Sequence, residues 1–113
     1  MSDGVIWIKA CDASAIDCDD VLKIESSAGP IAIYHLQDGF FATQDTCTHA
    51  VASLADGFVE DGMIECPLHA AKFCIRTGKA RSLPAKDSLV TYAVKVQEGD
   101  VLVGLPVAQE LSS

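Results

Sequence analysis

The stretch CTHAVASLADGFVEDGMIECPLH, residues 47–69, sets Cys47 and His49 one residue apart and Cys66 and His69 two residues apart, with 16 residues between the pairs. Thiolates and imidazoles are the side chains that transition metals select. Donor pairs this far apart serve one centre only if the fold brings two loops together and holds them there. The chain must therefore supply a stiff frame for two loops, and the flanking sequence shows what kind.

Val90, Tyr92, Val94 and Val96 alternate with Thr91, Ala93, Lys95 and Gln97, the period of two of a half-buried strand. Ile6 and Ile8, Leu22 and Ile24, and Val101 and Val103 repeat that face over shorter runs, and Ile31 to Leu36 is apolar enough for a buried strand. Asp38-Gly39, Asp61-Gly62 and Glu98-Gly99-Asp100 are hairpin connections, and Ala28-Gly29-Pro30 is a further breaker. Asp12 to Ile16 and Ala50 to Leu54 are each expected to form one helical turn, and Val107 to Ser113 a frayed tail. The fold class that follows is all-β: antiparallel sheets of roughly eight to ten short strands in a sandwich or open barrel. Phe40 to Thr43 runs into the first pair, Met63 to Glu65 into the second, and Lys72 to Ile75 beyond it. Both pairs lie on loops at strand ends, where a rigid scaffold holds ligands in place.

A chain of 113 residues is expected to form a single domain, residues 1–113, with the two loops in a metal-binding part at about 45–85. No run approaches the ~20 apolar residues of a membrane span, and MSDGVIWIKA lacks a signal-like start, so a soluble cytoplasmic monomer is expected. The formal net charge of -8 argues against nucleic acid and anionic membranes, and for a protein partner with a basic patch. In a reducing compartment, Cys11, Cys18 and Cys74, which have no histidine beside them, are read as small apolar residues, and His35 as structural.

Structural zinc sites space their ligands by two to four residues within a pair. Cys66 and His69 fit that rule, whereas Cys47 and His49 are tight for chelating one ion and comfortable if each binds a different metal. A [2Fe–2S] cluster offers that geometry, with two thiolates on one iron and two imidazoles on the other, which is the Rieske arrangement. A zinc-stabilised binding module is the alternative.

The motif C-x-H-x16-C-x2-H, with Thr48 inside the first pair and Pro67 inside the second, resembles the Rieske signature. Nearly the whole chain resembles the small Rieske-type ferredoxins of bacterial aromatic-ring-hydroxylating dioxygenases. CPLHAAKFCIRTGKARSLPA is especially similar to the phenylpropionate and cinnamate type, with biphenyl and naphthalene types near it. The resemblance implies one [2Fe–2S] cluster per chain on Cys47, His49, Cys66 and His69. It also implies a shielding proline loop at Leu83-Pro84-Ala85. Alanine (Ala50, Ala70) stands after each ligand histidine, where the family often has glycine.

A cluster fully ligated by protein has no open position for substrate, which leaves one-electron transfer. The chain has no Gly-rich phosphate loop and no two-histidine, one-carboxylate motif. The resemblance therefore implies a carrier without turnover of its own. It would run between an NADH-dependent FAD reductase and the terminal Rieske oxygenase of an aromatic hydrocarbon catabolic system. The rival within the fold is a ligand-poor small subunit of the nitrite-reductase type. Electrons are expected to pass at the exposed His49 and His69, and five of the eight basic residues (Lys72, Arg76, Lys79, Arg81, Lys86) fall just beyond the second pair. Acidic residues gather at Asp17, Asp19 and Asp20 and from Asp56 to Glu65, a pattern that steers encounters with partners. Respiratory Rieske proteins carry a loop-to-loop disulfide where this chain has Ala52 and Leu68. They carry a serine and a tyrosine that donate to cluster sulfurs where it has Ala71 and Phe73. Their absence implies a low potential.

Overall fold

The computed structural model describes residues 5–47, 52–67, 71–81 and 88–106. The large sheet contains β1 (Val5–Asp12), β2 (Asp20–Ile24), β3 (Ile31–Leu36), β4 (Gly39–Gln44), β8 (Thr91–Gln97) and β9 (Asp100–Pro106). The small sheet contains β5 (Phe58–Glu60), β6 (Met63–Glu65) and β7 (Lys72–Cys74). Their orders are β1-β9-β8-β4-β3-β2 and β5-β6-β7, every pairing antiparallel, so the all-β expectation holds. Among the described residues helical structure is limited to 3-10 turns at Ala13–Ala15 and Leu54–Asp56, and no helix is long and apolar enough to cross a membrane.

The large sheet curls into an open barrel. Its edge strands share one interior, where Ile8 of β1 and Leu22 and Ile24 of β2 pack with Ile31, Ile33 and Val103. The other face of β3 carries Ala32, Tyr34 and Leu36, which pack in a second group with Leu54, Ile64 and Phe73. Side chains alternate across a strand, so a strand buried on both faces must be apolar throughout, as Ile31 to Leu36 is. His35 is the half-buried exception. Its Nδ1–H donates to the Ile16 carbonyl at 2.8 Å, and its ring stacks on Phe40 at 4.2 Å between centroids, the structural role expected of it. On the outer face, Trp7 lies across the strand pair from Gly104, with the Lys95 ammonium 4.3 Å from the indole centroid.

Two hairpins turn where the sequence places them: Asp61-Gly62 and Glu98-Gly99 both take positive φ at each residue, as a type I′ connection requires. The third is displaced by one residue. Leu36 pairs with Gly39, so Gln37 and Asp38 form the loop and Gly39, at φ 143, opens β4. The turn expected at residues 50–54 is also displaced. Ser53 is still extended and bridged to Thr46, so the turn begins at Leu54, while Ala50 and Val51 lie outside the described residues. In β8, Tyr92 and Val94 face the barrel core, whereas Val90 lies outside the strand and Val96 is half exposed. The tail from Val107 is likewise outside the described residues.

The interface between the two packed groups contains one polar chain. The Tyr34 hydroxyl donates to Thr43 Oγ1 at 2.9 Å, and that hydroxyl donates to the Gln44 carbonyl at 2.8 Å. Burial holds the phenol protonated far above its ordinary range. Replacing Tyr34 by Phe is expected to cost about 0.5–1.5 kcal/mol, one buried hydrogen bond. Replacement by Ala costs about 3–5 kcal/mol, because a cavity is added. Urea unfolding of the two variants checks the difference.

Candidate metal centre

Each ligand-type cysteine sits at the base of a hairpin tip. On the first hairpin, Thr46 is bridged to Ser53, and the Cys47 amide donates to the Ala52 carbonyl at 3.0 Å. On the second, Glu65 pairs with Lys72, and the Cys66 amide donates to the Ala71 carbonyl at 2.8 Å. The two tips are thus closed by the same bond, from a cysteine amide to the carbonyl of an alanine five residues on. Cys47 is 4% exposed and Cys66 1%, and both belong to the packed group that contains Leu54, Ile64 and Phe73. His49, His69, Leu68, Ala50 and Ala70 lie outside the described residues, as do Pro84 and Lys86.

Two buried thiols at matched loop bases in one apolar environment fit a thiolate-bound metal centre. A bound cation removes the thiol proton outright, and the apolar surround keeps water from competing for the sulfur. No disulfide partner stands at residue 52, where the chain has Ala52. Ala71 and Phe73 are completely buried beside Cys66 in the same group and carry no hydroxyl.

The first tip is held from below by side chains that the sequence reading passed over. Asp45 is 2% exposed, its amide donates to the Pro30 carbonyl at 3.1 Å, and its Oδ1 accepts the Ala55 amide at 3.0 Å. Gln44 ties the start of the first loop to the segment before β8: its Nε2 donates to the Thr46 carbonyl, its Oε1 accepts the Val90 amide, and its own amide donates to the Val90 carbonyl. Neither residue announces itself, because an acid or amide beside a loop is common and the amide it accepts lies elsewhere along the chain. Residues 82–87, where the proline loop was expected, lie outside the described residues, and the residues on either side of them are tied by backbone bonds. Arg81 donates to the Lys72 carbonyl, and Leu89 donates to the Gly78 carbonyl, both at 2.7 Å.

The basic residues beyond the second pair do not all face outward alone. Arg76 forks onto Asp38, Nε to Oδ2 at 3.1 Å and Nη2 to Oδ1 at 2.6 Å, and lies 5.4 Å from the centre of the Phe41 ring. That pair links the small sheet to the β3–β4 hairpin and holds the Asp38 carboxyl below its ordinary range. It borders a polar cleft of about 290 Å³ where Asp19 and Asp61 face Arg76. The cysteine expectation needs correction. Cys18 is exposed among Asp17, Asp19 and Asp20 on the connection into β2, where its polar neighbours face water. Cys11 and Cys74 are half buried.

Residues 6–93 match the family model for the Rieske [2Fe-2S] domain. The chain is 46% identical over 97 residues to the ferredoxin component of biphenyl 2,3-dioxygenase from Rhodococcus jostii (strain RHA1), covering 86% of this chain and 91% of that one. It is 45% identical to the 3-phenylpropionate/cinnamic acid dioxygenase ferredoxin subunit of Escherichia coli (strain K12), covering 90% and 96%. Among solved structures, it superposes with TM-score 0.83 and 39% identity on a chain of the complex of reduced oxygenase and oxidized ferredoxin in carbazole 1,9a-dioxygenase, covering 88% and 93%.

The burial pattern predicts the order in which thiols react. Cys18 should alkylate first. Cys74 should follow: burial opposes its ionisation, but hydrogen bonds from the Thr77 hydroxyl and amide bring its thiol below the ordinary value. Burial pushes the Cys11 thiol up, so Cys11 should react slowly. Cys47 and Cys66 should react only after unfolding. Peptide mass spectrometry after a brief iodoacetamide pulse gives the order.

Proposed function

The chain belongs to the Rieske [2Fe–2S] family, and we propose that it shuttles single electrons from an NADH-dependent FAD reductase to the terminal oxygenase of an aromatic-ring-hydroxylating dioxygenase system. The observation that carries this reading is the pair of buried cysteines on loops closed by the same backbone bond. In the proposal Cys47 and Cys66 hold one iron, and His49 and His69 hold the other. When bound, the cluster supplies one-electron redox chemistry and offers no open position to a substrate.

The residues around the thiols do the rest. Leu54, Ile64 and Phe73 exclude water from the cysteine side. The two hairpins resist rearrangement when charge arrives, because their backbone groups are already bonded to each other. The net charge of -8 favours brief encounters with basic surfaces on two successive partners, and a cytoplasmic monomer suits that exchange. Charge steering of this kind weakens beyond a Debye length of ~10 Å at 0.1 M salt.

Two experiments test the reading. The purified protein should be red-brown and, once reduced, give a Rieske-type electron-spin signal that His69→Ala abolishes or alters. A colourless protein defeats the proposal, and an unchanged signal in His69→Ala defeats the ligand assignment. The potential should lie near the bottom of the roughly −150 to +300 mV span of Rieske centres. Hydroxyl donors stabilise the added electron, and positions 71 and 73 have none to give. Ala71→Ser and Phe73→Tyr should each raise it in protein-film voltammetry. A wild-type value well above 0 mV contradicts this.

A further inference from the structure

The two cysteines lie on different hairpins, yet the metal-centre reading needs both at one iron. The path between the hairpins is short and continuous. It starts at Ala52, which accepts the Cys47 amide, passes Ser53, bridged to Thr46, and makes the 3-10 turn Leu54–Asp56. Gly57 follows, and the next residue, Phe58, pairs with Glu65. Continuing that antiparallel register by one residue sets Gly57 opposite Cys66. One end of the path is therefore bonded to the first cysteine, and the other lies against Glu65, the residue before the second.

Each end has a device that fixes it. At Gly57, φ is -91 and ψ is -157, extended backbone open to any residue, so conformation does not call for glycine. Space does. A Cβ on Gly57 would overlap the Glu65 carbonyl oxygen and lie 3.1 Å from its carbon and 3.2 Å from the Leu54 carbonyl oxygen. All three are backbone atoms, which cannot swing aside as a flexible side chain does. A methyl group fits only after one strand retreats by roughly 1 Å, and close-packed interiors transmit such a shift. The clash falls on Glu65, the residue that leads directly into Cys66. At the other end, the buried Asp45 accepts both leading amides of the turn, that of Leu54 on its carbonyl at 2.7 Å and that of Ala55 on Oδ1 at 3.0 Å.

We propose that Gly57 and Asp45 are positioning residues that together set the separation of Cys47 from Cys66, Gly57 by admitting close approach at Glu65 and Asp45 by fixing the turn between the loops. The inference rests on the metal-centre reading. Neither residue touches the metal in this scheme; both act through the backbone that carries the thiolates.

The test compares holo-protein carrying Gly57→Ala, Asp45→Ala and Asp45→Asn with wild type, by iron and sulfide content, rate of bleaching in a chelator, and g-values of the reduced protein. Gly57→Ala and Asp45→Ala should bleach roughly tenfold faster or more, the usual size of an effect on residues that support ligands, and should shift the g-values. Asp45→Asn should behave as wild type, because its amide oxygen still accepts the Ala55 amide. Wild-type retention and g-values in Gly57→Ala overturn the proposal. If Gly57→Ala fails to fold, the Asp45 pair decides: Asp45→Asn failing as badly as Asp45→Ala overturns the positioning role in favour of the charge. Wild-type protein lacking iron and sulfide defeats the metal-centre reading as well, and that outcome is distinct from a normal centre insensitive to the variants.

Discussion

Strand β3 has no solvent face along most of its length. Ile31 and Ile33 fill the barrel interior, while Ala32, Tyr34 and Leu36 back the residues that surround Cys47 and Cys66. Burying a large aliphatic side chain is worth about 1.5–3 kcal/mol, so both packed groups draw on the same strand for their stability. The barrel and the loop region are consequently not separable layers joined by a linker. A one-residue change of register in β3 would swap the two sets of side chains between the two packed groups, and β4 pairs with it from Ile31 to Leu36 and β2 from Ile31 to His35.

Against that strand the bases of the two cysteine hairpins are closed by backbone bonds. The cysteine amides are already spent on Ala52 and Ala71, and the turn between the tips is held by Asp45. The Arg76–Asp38 fork adds a tie between the small sheet and the β3–β4 hairpin, but it is exposed to water and contributes direction more than strength. The same exposure leaves Asp19 and Asp61 open to solvent around the cleft, so the acidic character noted in the sequence is expressed on the surface.

Much of this was legible because it depends on short-range pattern. Asp61-Gly62 and Glu98-Gly99 announce their turns through residues that tolerate positive φ, and Ile31 to Leu36 announces a doubly buried strand through unbroken hydrophobicity. Cys47 and Cys66 stand out in the sequence because each has a histidine close behind it, and the structure buries both. What the sequence concealed depends on contacts between distant segments. The late start of the 3-10 turn follows from the Thr46–Ser53 bridge and from an acceptor on Asp45. Gly57 follows Asp56 in a dipeptide typical of turns, yet it is glycine for want of space beside Glu65. Cys18 was misjudged although its neighbours Asp17, Asp19 and Asp20 carry the signal: three carboxylates around one thiol keep that connection in water.

The one tryptophan of the chain has a consequence for following the molecule in solution. Trp7 lies over the β1–β9 pair with Lys95 above its ring, on the opposite side of the sheet from the barrel interior. Indole emission responds to the polarity and charge near the ring, so its fluorescence reports on that strand pair. Any colour reports on the cysteine loops. The molecule thus carries two optical reporters in different regions, and their agreement or divergence during denaturation measures whether barrel and loops come apart in a single cooperative event.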